Sequence, residues 1–300
     1  DAFRRLGDFS ADGNRAIYAS TERNGRDFDL YVVEVSTGKA RLIYESEFGF
    51  FPEAWQPNGD LVIVSETRGE DANDVYLLNA KTGDMAPLLQ PKVAANFSDF
   101  QWLADGSGFY LATNQGREFN AVAFYDLASG QLRTLSATDA DADNVKLAGG
   151  GNLLLWTTNQ EGYSKLQGVD LVTQQPMPLP KLPAGVYDID VSTTGEVVSV
   201  NLNGPGTPGD VYVWSIGTPE QVDRIFAASI GGLDPSTFVT PISLNYPAQD
   251  GVQLQGLLYL PDAEIFAGKR PVVVQIHGGP TAQSRPGFRP VEQYLVNRGI

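Results

Sequence analysis

The 300-residue chain has no cysteine and a single histidine, His277. The first absence excludes a disulfide framework, a thiolate metal site and a cysteine nucleophile. With one histidine besides, a zinc or copper site lacks its usual ligands. No apolar run approaches the ~20 residues of a membrane helix; runs such as Val272-Val273-Val274 are strand-sized fragments. Basic residues are scarce: 21 Lys and Arg stand against 36 Asp and Glu, for a net charge of −15. From Ser236 to Ile300 five basic and four acidic residues leave +1, so the first 235 residues carry −16. So acidic a segment argues against nucleic acid and anionic membrane as partners and suits a solubilising surface. A cysteine-free soluble chain fits the cytoplasm and the periplasm alike, which leaves the compartment open. The first residue is Asp1 rather than Met, so a preceding piece, with or without a leader, is expected.

Glycine (32) and proline (19) are plentiful, as a fold with many turns requires. They recur with a period. Phe9-Ser10-Ala11-Asp12-Gly13, Trp55-Gln56-Pro57-Asn58-Gly59 and Trp102-Leu103-Ala104-Asp105-Gly106 each precede an apolar run. Weaker copies are Leu147 to Gly151 and Val191 to Gly195, and the marker glycines are 44 to 47 residues apart. A second marker ends a later strand: Thr37-Gly38, Thr82-Gly83 and Ser129-Gly130, with Tyr31 and Tyr76 each seven residues before theirs. Within a unit the pattern predicts strands over 16–19, 30–35 and 41–44, punctuated by Asn24-Gly25 and Ser36-Thr37-Gly38. About four strands in ~45 residues is the period of a β-propeller blade, whereas a sandwich shows no such long repeat. Blades are expected near 9–50, 51–95, 96–143, 144–185 and 186–228. Five could close alone or be joined by blades before Asp1.

The repeat stops at a linker, Ser229 to Pro235, so the propeller domain is expected over 1–235. An antiparallel pair follows, Ile242 to Tyr246 and Leu254 to Leu260, turning at Asp250-Gly251. Pro271 to Ile276 is almost uninterruptedly apolar, which predicts a strand buried on both faces, as in an α/β sheet. After a Gly- and Pro-rich loop, Pro290 to Arg298 reads as a helix with Val291, Tyr294 and Leu295 on its core face and Gly299 as its stop. Residues 236–300 are therefore expected to be the truncated start of an α/β-hydrolase domain.

His277-Gly278-Gly279-Pro280 lies between that apolar run and the helix. In α/β-hydrolases the loop at this position supplies one oxyanion-hole donor. Acyl transfer puts negative charge on a carbonyl oxygen, and fixed backbone N–H groups stabilise it. Glycine lets the backbone come close and aim its N–H outward. Gly278 and Gly279 are the candidate donors. His277 precedes any nucleophile elbow and so is expected to shape the loop rather than serve as the general base. No serine sits in G-x-S-x-G, so the catalytic serine, acid and base are expected to be absent from these residues. The bland alternative is an ordinary Gly-Pro loop between strand and helix.

Three further patterns carry bland readings. Gly204, Gly206 and Gly209 match a dinucleotide fingerprint but contain Pro205 and Pro208 and open no helix, which predicts a long turn. Asp139, Asp141 and Asp143 mimic a calcium loop, yet Asn144 and Gly150 occupy its glycine and glutamate positions, which predicts an exposed acidic loop. Asn96-Phe97-Ser98 is a glycosylation triplet with no other secretory mark.

Propeller repeats followed by Pro241 to Leu244, Asp250-Gly251-Val252, Leu257 to Pro261, Pro271 to Val274 and His277 to Pro280 resemble the prolyl oligopeptidase family of serine peptidases, in particular its acylaminoacyl-peptidase and dipeptidyl-peptidase-like branch. The resemblance implies a seven-bladed propeller limiting access to short peptides, a triad beyond Ile300, acyl-enzyme chemistry and no metal or organic cofactor. It maps the oxyanion motif to His277, Gly278 and Gly279. The rival readings are a carboxylesterase-like hydrolase with a propeller and a non-catalytic propeller binding module. The uncovered sheet edges of the hydrolase start further predict self-association.

Overall fold

Each repeated marker turn reverses the chain between two strands. Ser10 N donates to Arg15 O at 2.9 Å and Gly13 N to Ser10 O at 2.8 Å. The same two bonds recur at Gln56 and Gly59, at Leu103 and Gly106, and at Ser192 and Gly195. Gly13, Gly106 and Gly195 have φ of 67°, 70° and 75°, a region only glycine enters without strain. The second marker closes the next turn but one, where Gly38, Gly83 and Gly130 N donate to Glu34, Asn79 and Asp126 O at 2.8, 2.8 and 2.9 Å.

A computed structural model describes residues 2–279 and 281–300. Among them, five four-stranded antiparallel meanders and one two-stranded sheet follow one another along the chain. The first sheet runs β1 (Arg4–Phe9), β2 (Arg15–Ser20), β3 (Asp29–Glu34) and β4 (Lys39–Tyr44), and the second β5 (Phe50–Trp55), β6 (Leu61–Thr67), β7 (Asn73–Asn79) and β8 (Met85–Leu89). The third holds β9 (Phe97–Trp102), β10 (Gly108–Thr113), β11 (Ala121–Asp126) and β12 (Gln131–Ser136). The fourth holds β13 (Ala142–Ala148), β14 (Leu153–Gln160), β15 (Tyr163–Asp170) and β16 (Gln175–Pro176), and the fifth β17 (Val186–Val191), β18 (Val197–Gly204), β19 (Thr207–Ser215) and β20 (Val222–Phe226). The expected hairpin follows as β21 (Ile242–Pro247) and β22 (Gln253–Leu258), and the chain ends with α1 (Pro290–Val296).

The chain divides into two compact units, 1–145 and 146–300, the boundary falling within β13. In the first, strand alternation sends one apolar face of each sheet onto its neighbour. Ile17, Leu30, Val62, Val64 and Leu78 fill the layer between the first two sheets. Phe109, wholly buried, stands between the second and third, with Phe100, Trp102 and Tyr125 rings 5.7, 5.1 and 5.2 Å from its own. In the second unit Leu155, Ile189, Val198, Val200 and Trp214 pack the fourth sheet on the fifth. Each such side chain contributes roughly 1.5–3 kcal/mol through removal from water.

Side-chain-to-backbone bonds near the head of each third strand tie one sheet to the segment that follows it, the side chain coming from the strand in every case but the third sheet, where Asp141 supplies it. Asp29 Oδ1 accepts from Ser46 N at 2.9 Å, and Asn73 Oδ1 from Phe97 N at 2.8 Å. Asn120 N donates to Asp141 Oδ1 at 2.8 Å. Ser164 Oγ accepts from Tyr187 N at 3.0 Å, and Asp210 Oδ1 from Ala228 N at 2.9 Å.

Three expectations are corrected. Pro271 to Ile276 forms no strand: it makes no ladder, and Val272, Val273, Val274 and Ile276 are 61–85% exposed. A strand buried on both faces exists only through its neighbours, and no strand of the described residues pairs with this one. The helix forms, with Gly299 at φ 81° just beyond it, but its buried face is Gln293 and Val296, while Val291 and Tyr294 point to solvent. Gln293 turns inward because its amide finds three backbone partners there. Finally, Gly204 to Gly209 is no long turn: β18 and β19 pair up to Gly204 and Thr207, leaving the two-residue turn Pro205-Gly206.

Candidate functional site

His277, Gly278 and Gly279 are consecutive exposed residues outside any helix or strand; Pro280, which completes the motif, lies outside the described residues. Gly279 has φ 148°, within the region that favours glycine, and a Cβ there would sit 3.0 Å from both Thr281 N and Ala282 N. Nothing lies within 4 Å of the corresponding position on Gly278, so that side of the loop is open. His277 Nδ1 lies 2.6 Å from Gly278 O. A carbonyl can only accept, so in this contact Nδ1 is the donor.

The segment after the motif is fastened to the turns of two hairpins in the same compact unit. In the β14–β15 turn Glu161 and Gly162 have φ of 52° and 88°, the paired positive angles of a tight hairpin. Asn159 Oδ1 caps that turn by accepting from Gly162 N at 2.9 Å, while its Nδ2 donates to Gln283 Oε1 at 2.7 Å. Arg285 Nε donates to Gly162 O at 2.8 Å and its Nη2 to Ser164 Oγ at 3.0 Å. Beside the β18–β19 turn, Asn203 Oδ1 accepts from Phe288 N at 2.6 Å. Phe238 and Phe288 meet edge-on at 5.1 Å. In α1, Gln293 Oε1 accepts from Val239 N at 2.8 Å, and its Nε2 donates to Val239 O at 2.8 Å and Pro205 O at 3.2 Å. Nearby, burial pushes the Tyr259 hydroxyl above its usual range, and the charge of Glu292 adds to the effect.

The sequence singled out none of Asn159, Asn203, Arg285 or Gln293. An asparagine at a hairpin end reads as turn chemistry, and its outward bonds depend on a partner more than 80 residues away. The aspartate triplet is divided by the fold. Asp139 lies in the exposed loop, Asp141 meets Asn120 N, and Asp143 is part of β13. Among the described residues no three His, Cys, Asp or Glu side chains are grouped to hold a metal ion, and no helix is long and apolar enough to cross a membrane.

Consecutive four-stranded meanders, a hairpin and a glycine loop before a helix define what the chain is similar to. No protein-family model matches it. Puromycin hydrolase superposes over 99% of this chain and 49% of its own, with a TM-score of 0.80 at 18% identity. The resemblance is to the peptidases of the prolyl oligopeptidase kind. Prolyl oligopeptidase B from Galerina marginata covers 84% of this chain and 38% of its own, with a TM-score of 0.71 at 15% identity. In sequence, the uncharacterized peptidase YuxL of Bacillus subtilis is 22% identical across 91% of this chain and 56% of its own length. The sheets described above share the fold of the propeller region in these enzymes. The chain spans between 38% and 56% of the length of these relatives.

Proposed function

We propose that this chain is the N-terminal part of a serine peptidase that hydrolyses short peptides through an acyl-enzyme, with domains over 1–235 and 236–300. In this reading the five sheets are blades of a seven-bladed propeller that limits access to the site, and sequence after Ile300 supplies the serine, acid and histidine. The observation that carries the reading is Gly279: φ 148° three residues after the apolar run, a conformation strained for any side chain, with Thr281 N and Ala282 N 3.0 Å from where a Cβ would sit. A backbone bent this way can turn an N–H towards a substrate oxygen, and the open side of Gly278 gives that oxygen room. One N–H of the pair donates to the oxyanion, together with the N–H after the serine. His277 holds the loop through its Nδ1 bond and abstracts no proton from the nucleophile.

The exposed run Val272 to Ile276, with Ile242, Leu244, Tyr246 and Leu254 of the hairpin also exposed, supports the domain assignment. Apolar patches of this kind are surfaces to be covered, and the remaining strands of a hydrolase sheet would pair with 271–276 and bury both its faces. The named relatives add support, one being a peptidase, one a prolyl oligopeptidase and one a hydrolase of puromycin.

The test is labelling of the full-length protein by a fluorophosphonate, followed by a panel of short peptide and ester substrates. Labelling with peptide turnover is expected. Labelling with turnover of esters alone favours the carboxylesterase reading, and absence of labelling favours a binding module.

A further inference from the structure

The chain between Gly279 and α1 is short, and the fold does not leave it loose. Within nine residues of Gly279, Gln283, Arg285 and Phe288 each bond to a hairpin end. Arg285 stands apart from the other two because of what it meets. Ser164, which is 7% exposed, already joins the fourth sheet to the fifth: its Oγ accepts from Tyr187 N, and its N donates to Gly185 O at 2.9 Å. Arg285 Nη2 fills the remaining acceptor position of that hydroxyl, while Nε takes the carbonyl of Gly162. The planar guanidinium thus spans two acceptors at fixed separation, which a lysine ammonium cannot reproduce. Packing reinforces the bonds. A Cβ on Gly162 would lie 2.9 Å from the Pro286 ring, and one on Gly287 3.2 Å from the Asn203 carboxamide, so both glycines are there for close approach.

We propose that Arg285 is a positioning residue: it pins the oxyanion loop, six residues downstream of Gly279, to the junction between the fourth and fifth sheets. The propeller then holds the donor N–H where the substrate oxygen arrives. This rests on the reading of Gly278 and Gly279 as oxyanion donors. Arg285 touches no reacting atom, so its effect falls on the rate of the chemical step. A donor displaced by about 1 Å can lose up to ~100-fold in rate, and because the oxyanion exists mainly in the transition state, binding of substrate is spared.

The test uses the full-length protein with Arg285→Ala, Arg285→Lys and Ser164→Ala, read by hydrogen exchange and by steady-state kinetics on a short peptide. Arg285→Ala is expected to speed exchange across 278–288 and 160–164 while β18 and β19 stay protected, and to lower kcat about tenfold or more with KM within about threefold. Arg285→Lys and Ser164→Ala, each leaving one bond of the pair, should fall between it and wild type, and both keep the test open if the alanine variant at 285 does not fold. Unchanged exchange in all three variants overturns the pin. Faster exchange with unchanged kcat overturns the positioning role, as does a loss confined to KM. A wild type that turns over no peptide or ester sinks the peptidase reading and the positioning role with it. Faster exchange in Arg285→Ala then still tells that failure apart from failure of the pin.

Discussion

Arg23 meets the wholly buried Asp29 in a two-pronged ion pair, Nε to Oδ2 at 2.7 Å and Nη2 to Oδ1 at 2.9 Å. Burial alone works against the Asp29 carboxylate. The Arg23 hydrogen bonds, the N–H of Ser46 and the Arg23 charge outweigh it and hold the carboxyl below its ordinary range. Asp29→Ala would leave Ser46 N without its acceptor at the exit from the first sheet and Arg23 with only Ser46 O and Asp27 as partners. The orphaned Ser46 N–H costs ~1–3 kcal/mol, and Arg23 adds little, because its side chain is 33% exposed, water screens it and Asp27 and Ser46 O remain beside it. The pH dependence has a definite sign. A depressed acid stabilises above its unfolded value of about 3.9 and loses that contribution as pH falls through its folded value. Urea unfolding should therefore show the Asp29→Ala deficit in full at pH 7 and shrinking below about pH 4.

Asn73 performs the corresponding task between the second and third sheets, its Nδ2 donating to Phe97 O at 3.0 Å while its Oδ1 accepts from Phe97 N. Phe97 is buried, so Asn73→Ala leaves two backbone groups without partners at ~1–3 kcal/mol each. A fall in melting temperature of several degrees is expected, with faster exchange at the Phe97 amide. Unchanged melting would mean that water replaces both bonds.

These ties mark what could and could not be read in the chain. The turns were legible because Gly13, Gly106 and Gly195 perform one act at one spacing, a left-handed reversal that a single residue type does best. The ties were not legible, because Asp29, Asn73, Ser164 and Asp210 share only a polar side-chain atom near the head of a strand, and at the third sheet the side chain comes from the other side, from Asp141. The hairpin 242–258 carried its own turn and so its own register. Pro271 to Ile276 showed burial potential but not a partner, and a strand is a relation between two segments. The helix was recognised from Pro290 and Gly299, yet its face was misjudged: apolar spacing favoured Val291 and Tyr294, while the backbone groups of Val239 and Pro205 drew in Gln293. At the candidate site, the glycine pair was visible as a motif and the anchorage through Arg285 was not.

Glu53 offers a test of opposite sign. Burial pushes its carboxyl up, against the hydrogen bond from Ser65 Oγ at 2.5 Å and the charge of Arg5, with Asp99 adding to the rise. The folded state thus keeps this proton to higher pH than the unfolded chain does, and ionisation weakens the fold as pH rises past the unfolded value of about 4.3. Glu53→Gln keeps an acceptor for Ser65 and removes the charge. Its melting temperature should equal or exceed that of wild type at pH 8 and coincide with it near pH 4. A clear loss at pH 8 would show that the ion pair with Arg5, at 3.8 Å, outweighs burial.

Whether the glycine loop forms the oxyanion hole is read most directly from the turnover of Gly279→Val in the full-length protein. A β-branched side chain is strained at φ 148° and meets Thr281 N and Ala282 N. If this loop provides the oxyanion donor, kcat for a short peptide should fall ~100- to 1,000-fold, with KM changed only a few-fold and the melting temperature unchanged. A folded variant that turns over peptide within a few-fold of wild type would contradict the assignment of Gly279 to the oxyanion hole and the reading of His277 to Gly279 as the oxyanion loop.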